Sequence, residues 1–435
     1  MQNLALSNYL NSQEWILSKV YFDYAGQRFQ GRGVLRWSVD NGFLLEAPLD
    51  ERLKEQIIFR NRLIGTSDQS SIRMHIKNGG IAVSTNIILS NRYDICSENR
   101  ISIHLNKVTF LNRRDYDFPE KNNWHGQAIY ACNGKIDRLL DCVQIKQNIE
   151  IQGCSLETHS IHQRGIYFQG DSGSEVVIYM LDKQYLHCTW KIAKTILTKS
   201  EATRFFEAIQ YSLSILTGNV VCLLQYEAFY GCQIRREVRI NIERSSLEYF
   251  RLFPDHLHDE HILKDFFYKF SISLAKKEKE ALICKNIFLQ MVDASAQKNA
   301  YIMELLISTT LEAILRNIDN QPFNSGGAKW NVGYSLHAFL KKYFDSCYDI
   351  DSLKVKIMKA HSSLRDRNAH PDWLFTQGGN LSKEQQEKSF DNMIFLANFY
   401  GYIILALLGF QDIQLKFPMP ISQWGAILTI TPSSK

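Results

Sequence analysis

Nothing in the sequence matches G-x-x-x-x-G-K-[ST] or G-x-S-x-G, so P-loop ATP hydrolysis and α/β-hydrolase chemistry lack their signatures. Proline is scarce, with 8 in 435 residues, and charged side chains make up only 22%, which argues against long disordered tails. A strong excess of one charge is missing too. A net charge of +5 permits a nucleic-acid partner without demanding one. The 9 cysteines (Cys96, Cys132, Cys142, Cys154, Cys188, Cys222, Cys232, Cys284, Cys347) include no C-x-x-C pair. Odd in number and irregular in spacing, they read as reduced residues of a cytosolic protein. Met1 to Leu17 carries neither a basic n-region nor an uninterrupted apolar core, so no signal peptide is expected. A bilayer span is not expected at Phe390 to Phe410 either. Asp391, Asn392 and Asn398 interrupt that stretch, and it reads as a buried helix.

What is present is ample apolar material, 45% hydrophobic and 12% aromatic, in a chain too long for one ordinary core. From about Tyr21 to Ile242 the apolar period is mostly two. Val34 to Val39 alternates, meets Asp40-Asn41-Gly42 and resumes at Phe43. That is a hairpin signal, because Asn-Gly accepts the positive φ of a tight turn. Further strands are expected at Gly80–Ile88, Ile101–Phe110, Gln127–Cys132, Asp141–Ile151, Gly165–Gln169, Glu175–Leu181, Tyr185–Ile192, Val220–Phe229 and Glu237–Ile242. One helix interrupts them. Ser200 is its candidate cap, Phe205, Phe206, Ile209, Leu213 and Leu216 recur at helical spacing, and Gly218-Asn219 ends it.

Past a junction at Arg251 to Asp259 the period becomes 3.6. Helices are expected at Glu260–Glu278, Glu280–Asp293 merging toward Ala300–Asn317, Tyr334–Phe344, Asp351–Ala369 and Lys383–Leu408. The loop Asn320 to Trp330 falls among them, and the tail, apolar at Ile413–Phe417 and Ala426–Ile430, is expected to return as a strand. The fold class is therefore α+β in two domains: residues 1–250, a mainly antiparallel β sandwich or barrel, and residues 251–435, an all-α bundle.

The chemistry gathers at Leu364-Arg365-Asp366-Arg367-Asn368-Ala369-His370-Pro371. A residue before proline is pushed out of the helical region, so the helix is expected to stop at His370. In an unbroken helix, residues five apart diverge by about 140°. Unwinding at Ala369 or His370 brings the imidazole back beside the Arg365 guanidinium. A fixed cation that holds a phosphate, beside a group titrating near neutrality, is the minimum equipment for cutting RNA without a metal.

Arg365 to His370 resembles the R-x4-H signature of HEPN domains, including the polar Asp366 after the arginine and the small Ala369 before the histidine. With a β-rich N-terminal half, the whole arrangement resembles the ApeA-type HEPN proteins of bacterial anti-phage defence. The resemblance implies a cytoplasmic, metal-independent endoribonuclease without cofactors. It would build its site across a homodimer or larger homo-oligomer, under control of a β-rich sensor domain answering a phage-derived trigger that no residue here identifies. Arg365 would clamp the scissile phosphate, and His370 would be general base or acid at the 2′-hydroxyl or leaving oxygen. The substrate class would be RNA, tRNA included, and its cleavage would arrest the infected cell. Asp366 would orient Arg365 or His370. Glu312 resembles the acidic residue that many such domains carry on an earlier helix. Arg367-Asn368 imitates an arginine-asparagine pair of related domains, but only two residues separate Arg367 from His370, which makes Arg367 and Asn368 supporting residues.

Lys354, Lys356 and Lys359 lie upstream on the same helix as candidates for an RNA-backbone track, against the simpler reading of a solvated face. The rival to the whole site is structural. Arg365 then pairs with Asp366 or Glu312, His370 is a helix-terminal histidine, and the helical domain is a catalytically inactive binding or dimerisation module beside a recognition domain. Two histidine clusters, His256-Leu257-His258-Asp259-Glu260-His261 and Cys154 with His159 and His162, fit no four-ligand zinc pattern, and no metal is expected. Trp37, Tyr93, Trp124, Tyr130 and Trp190 are candidates for a recognition surface, with core packing as the cheaper explanation.

Overall fold

The computed structural model describes residues 13–24, 27–38, 42–48, 71–77, 81–85, 93–96, 100–105, 107–111, 122–132, 150–151, 154–155, 165–170, 173–180, 185–230, 233–238, 260–319, 330–344, 349–369, 382–410, 419–420 and 429–430. By contacts the chain divides into two units. One comprises Met1–Cys132, Asp137–Phe206 and Cys222–Glu243, and the other comprises Asn133–Ile136, Glu207–Val221 and Arg244–Lys435. The layout is α+β, an N-terminal antiparallel β region followed by a helical one.

The strands in chain order are β1 (Gln13–Tyr24), β2 (Gln27–Ser38), β3 (Gly42–Pro48), β4 (Ser71–Ile76), β5 (Ile81–Thr85), β6 (Tyr93–Cys96), β7 (Arg100–Leu105), β8 (Lys107–Leu111), β9 (Asn123–Cys132), β10 (Glu150–Ile151), β11 (Cys154–Ser155), β12 (Gly165–Gln169), β13 (Glu175–Met180), β14 (Tyr185–Ala193), β15 (Val221–Tyr230), β16 (Gln233–Val238), β17 (Met419–Pro420) and β18 (Thr429–Ile430). Fourteen of them form one nearly closed, barrel-like sheet in the order β12-β13-β14-β9-β15-β16-β8-β5-β4-β1-β2-β3-β7-β6. Two short pairs, β10 with β11 and β17 with β18, form separate two-stranded sheets.

Alternation dictates the faces. Leu35 and Trp37 of β2 and Phe43 and Leu45 of β3 are buried. Arg36, between them in sequence, points outward and pairs with Glu14 on β1 at 2.9 Å and Glu46 on β3 at 2.8 Å, a cross-strand charge ladder. Strands β2 and β3 pair as a hairpin, but Gly42 is already its first paired residue, opposite Ser38, and residues 39–41 of the turn lie outside the described residues. In β1, Trp15 and Leu17 point inward, the register against β2 and β4 shifts, and Val20 then takes the inward position. The shift is a bulge at Ser18, whose Oγ donates to the His75 carbonyl at 3.1 Å.

Helix α1 (Lys199–Thr217) lays Phe205 and Phe206 over the sheet. Their rings meet Trp190 edge-on at 5.3 and 5.1 Å between centroids, and Phe206 stacks on Tyr226 at 4.3 Å. Gly126, opposite Trp190 in the ladder, makes room for both rings. A Cβ there would lie 2.5 Å from Phe206 and from Trp190. Thr198, not Ser200, caps this helix. Its Oγ1 accepts from the Glu201 amide while Glu201 returns a contact to the Thr198 amide at 2.7 Å, the reciprocal arrangement of a capping box.

Among the described residues six more helices follow: α2 (Glu260–Lys276), α3 (Lys279–Ser295), α4 (Ala300–Ile318), α5 (Val332–Phe344), α6 (Ile350–Ala369) and α7 (Lys383–Leu407). The expected merger of α3 into α4 does not occur. Ala296 ends α3, and Asn299 caps α4 by accepting from the Tyr301 amide at 2.9 Å. Ser382 and Gln385 form a capping box at the start of α7. That helix is long and apolar enough to cross a membrane, but 78% of its most apolar window is buried within the protein. Two polar side chains near its start are used in packing. Ser389 donates to the buried Glu304 of α4 at 2.6 Å, and Asn392 donates to Ser363 of α6 at 3.2 Å. The Tyr400 hydroxyl donates to the Ile307 carbonyl, tying α7 to α4 again.

Several strand boundaries differ from expectation. Ile101–Phe110 is two strands, β7 and β8. Of Glu237–Ile242 only Glu237 and Val238 are described, as the end of a strand that begins at Gln233, and of Asp141–Ile151 only Glu150–Ile151 is described. The tail pairs Thr429–Ile430 with Met419–Pro420, and Ile413–Phe417 lies outside the described residues. Trp37, Tyr130 and Trp190 are core residues at 2%, 0% and 3% exposure, which removes them from any recognition surface. Trp124 is half-buried, its indole donating to the Leu197 carbonyl at 2.8 Å, and Tyr93 is described only in its backbone.

Candidate functional site

Helix α6 buries Leu353, Ile357, Ala360, His361 and Leu364, the one-sided spacing of a helix packed along its length. Arg365 follows directly on the edge of that stripe with its side chain 48% exposed. Helix α4 buries Ile307, Leu311, Ile314 and Leu315 and carries Glu312 at the margin of its own buried face. Where the two margins meet, Glu312 Oε1 lies 3.0 Å from Arg365 Nε and 3.3 Å from His361 Nε2. Neither contact has the alignment of a hydrogen bond, so one carboxylate oxygen serves two nitrogen groups electrostatically.

The surroundings hold Glu312 ionised. Its carboxyl is kept below the usual range chiefly by the His361 imidazole beside it. Burial opposes this, and the charges of Arg365 and of Arg316, one helical turn along α4, reinforce it. Arg316 in turn lies over the Trp330 ring, 4.1 Å from its centroid, and the Trp330 indole donates to Asp319 at 3.3 Å. Ser335 of α5 also donates to Asp319, so the start of α5 is tied to the end of α4 beside the site.

Of the residues expected at the site, Glu312 and Arg365 are brought together from positions 53 apart in sequence. Helix α6 continues through Ala369 without a break. Asp366, Arg367 and Asn368 fall in its last turn, where the description stops at the backbone, and His370 lies outside the described residues. The three lysines do not form one track. Lys354 sits three turns before Arg365, within about 20° of its direction around the helix, whereas Lys356 is about 180° away and Lys359 about 120°. Lys354 is half-buried and Lys356 and Lys359 are exposed, so the last two form a solvated face. His361 was not singled out in the sequence. Its signal is position: a histidine on the buried stripe, one turn before the motif arginine.

Among the described residues no group of three histidine, cysteine or acidic side chains could hold a metal ion. His256, His258, Asp259, His159 and His162 lie outside the described residues, and Cys154, Glu260 and His261 are described only in their backbone. Cys132, Cys188, Cys222 and Cys284 are unbridged and buried, and burial pushes the Cys132 thiol up to about 12 and those of Cys188 and Cys284 higher still. Thiols so shielded carry little nucleophilic thiolate at neutral pH.

No family model, no curated protein and no solved structure matches the chain.

Proposed function

We propose that the protein is a metal-independent endoribonuclease of HEPN type, acting in the bacterial cytoplasm as a homodimer or larger homo-oligomer in anti-phage defence. Arg365 holds the scissile phosphate, and His370 moves the proton at the 2′-hydroxyl or the leaving 5′-oxygen. The 2′-hydroxyl attacks the adjacent phosphorus, the bond to the 5′-oxygen breaks, and the products are a 2′,3′-cyclic phosphate and a free 5′-hydroxyl. DNA lacks the nucleophile and is spared.

The observation that carries this reading is the Arg365–Glu312 pair. A guanidinium held at Nε by a carboxylate on the neighbouring helix, yet half exposed, retains terminal N–H donors for a phosphate. Its place in the R-x4-H motif puts the histidine five residues on in sequence, directly before Pro371, a position that disfavours helical backbone. The test is incubation of the pure full-length protein with total RNA in excess chelator, mapping new ends beside Arg365→Ala and His370→Ala. Cyclic-phosphate ends produced by wild type and by neither variant are expected. RNA bound but uncut, or cut equally by His370→Ala, overturns the nuclease and leaves a binding or dimerisation module.

A further inference from the structure

We infer that His361 is a positioning residue for Arg365, acting through Glu312 to fix the direction in which the guanidinium meets a phosphate. The inference rests on the nuclease reading for the identity of that phosphate, and on geometry alone for the relay. His361 is 1% exposed, so its ring is placed by core packing rather than by solvent. Its Nδ1 has no hydrogen-bond partner among the described residues, and the polar group that its Nε2 faces is Glu312, at 3.3 Å. The oxygen it faces is the one that meets Arg365 at 3.0 Å.

An arginine half in water is a flexible chain, and an exposed ion pair by itself restrains it little. The carboxylate opposite it is different, because it is met from inside the bundle by a ring that is itself buried, on the same stripe of α6 as Leu364 and Ile357. Arg316 and Tyr400 also bear on Glu312, but from α4 itself and from α7. His361 shares helix α6 with Arg365 one turn away. It therefore couples the carboxylate to the very helix whose arginine it orients. Planar guanidinium recognition of phosphate depends on that orientation, since misplacement by about 1 Å costs on the order of 100-fold in rate.

The test compares His361→Phe, which keeps ring volume and removes the nitrogens, with His361→Gln, which keeps an N–H donor. The first readout is the Arg365 Nε–H resonance of full-length protein labelled at arginine, assigned by its loss in Arg365→Lys. Restricted motion of that N–H bond in nitrogen relaxation is expected in wild type, most of the restriction in His361→Gln, and little in His361→Phe or Glu312→Gln. The second readout is cleavage of total RNA. His361→Phe is expected to be slower by on the order of 10- to 100-fold, His361→Gln within a few-fold of wild type, and the double variant with Glu312→Gln no slower than Glu312→Gln alone. Should His361→Phe fail to fold, the Gln and Glu312 variants carry the comparison. Unchanged restriction of the Arg365 Nε–H in folded His361→Phe, or multiplying defects in the double variant, overturns the inference. Absence of cleavage by wild type removes the nuclease reading instead and leaves the resonance to decide the relay.

Discussion

Arg365 Nε and Glu312 Oε1 stand 3.0 Å apart across helices α6 and α4, and the pair sits where two buried stripes end and solvent begins. That border gives the contact both of its properties. The carboxylate is sheltered enough to be held by its neighbours, and the guanidinium is open enough to reach something else.

Glu312→Gln keeps the shape of this contact and removes its charge. Arg365 then loses its fixed partner but keeps its own charge, so RNA affinity is expected to change little while the cleavage rate falls by on the order of 10-fold or more. Arg365→Lys is expected to cost at least as much, because an ammonium cannot present the planar fork. Single-turnover cleavage and binding measured in parallel separate the two effects. A Glu312→Gln protein that cuts at the wild-type rate shows the carboxylate to be a packing feature only.

The direction of each lysine around α6 makes a prediction that charge counting does not. Lys354→Ala should lower the slope of log affinity against log salt for RNA by about 0.7 to 0.9, the loss of one phosphate contact. Lys356→Ala, on the opposite side of the helix, should leave the slope unchanged. Fluorescence titrations over a salt series check both, and equal effects would show that the backbone path does not follow the Arg365 face.

Much of the sheet was legible because alternation is a local signal. Gly165–Gln169 appears as read, and β2 and β3 pair across the break in alternation before Phe43. Strand β1 was not legible as a whole: its inward residues run 15, 17, 20, and the bulge at Ser18 breaks the period that identifies a strand. At the site, Arg365 stood out by its motif and Glu312 by resemblance, but His361 did not. Its meaning lies in a carboxylate 49 residues earlier, a contact made only when α4 packs on α6, and no helical period within one segment encodes it.

The end of α2 offers a stability test. Lys277 has φ of 62°, its amide bonds the Leu274 carbonyl at 3.0 Å, and the Glu278 amide bonds the Ser273 carbonyl at 2.9 Å. This is the left-handed helix ending that glycine usually serves, and α7 ends the same way with Gly409 at 79°. A side chain in that conformation costs about 1 kcal/mol, so Lys277→Gly is expected to raise stability by roughly that amount, less the extra freedom glycine has when unfolded. Urea unfolding of the two proteins measures it. A destabilised glycine variant would mean that the Lys277 side chain contributes more than its backbone costs.

Acid should weaken the β unit through His187. Its ring is 4% exposed, packs edge-on against Tyr179 at 4.9 Å between centroids, and burial pushes its pKa down to about 4. The unfolded chain binds the proton near pH 6.5, while the folded one refuses it until about pH 4. Stability is therefore full above the unfolded value and falls as pH drops through this window, by roughly 3 kcal/mol across it. Glu312 acts lower down: its carboxyl lies below the usual range, so its contribution is present above the unfolded carboxylate value and is lost as pH falls through its folded one. His187→Phe removes the titrating ring while keeping an aromatic side chain against Tyr179. Its unfolding free energy is expected to be nearly flat between pH 6.5 and 4, where wild type declines. Equal slopes for the two proteins would place the acid sensitivity elsewhere in the molecule.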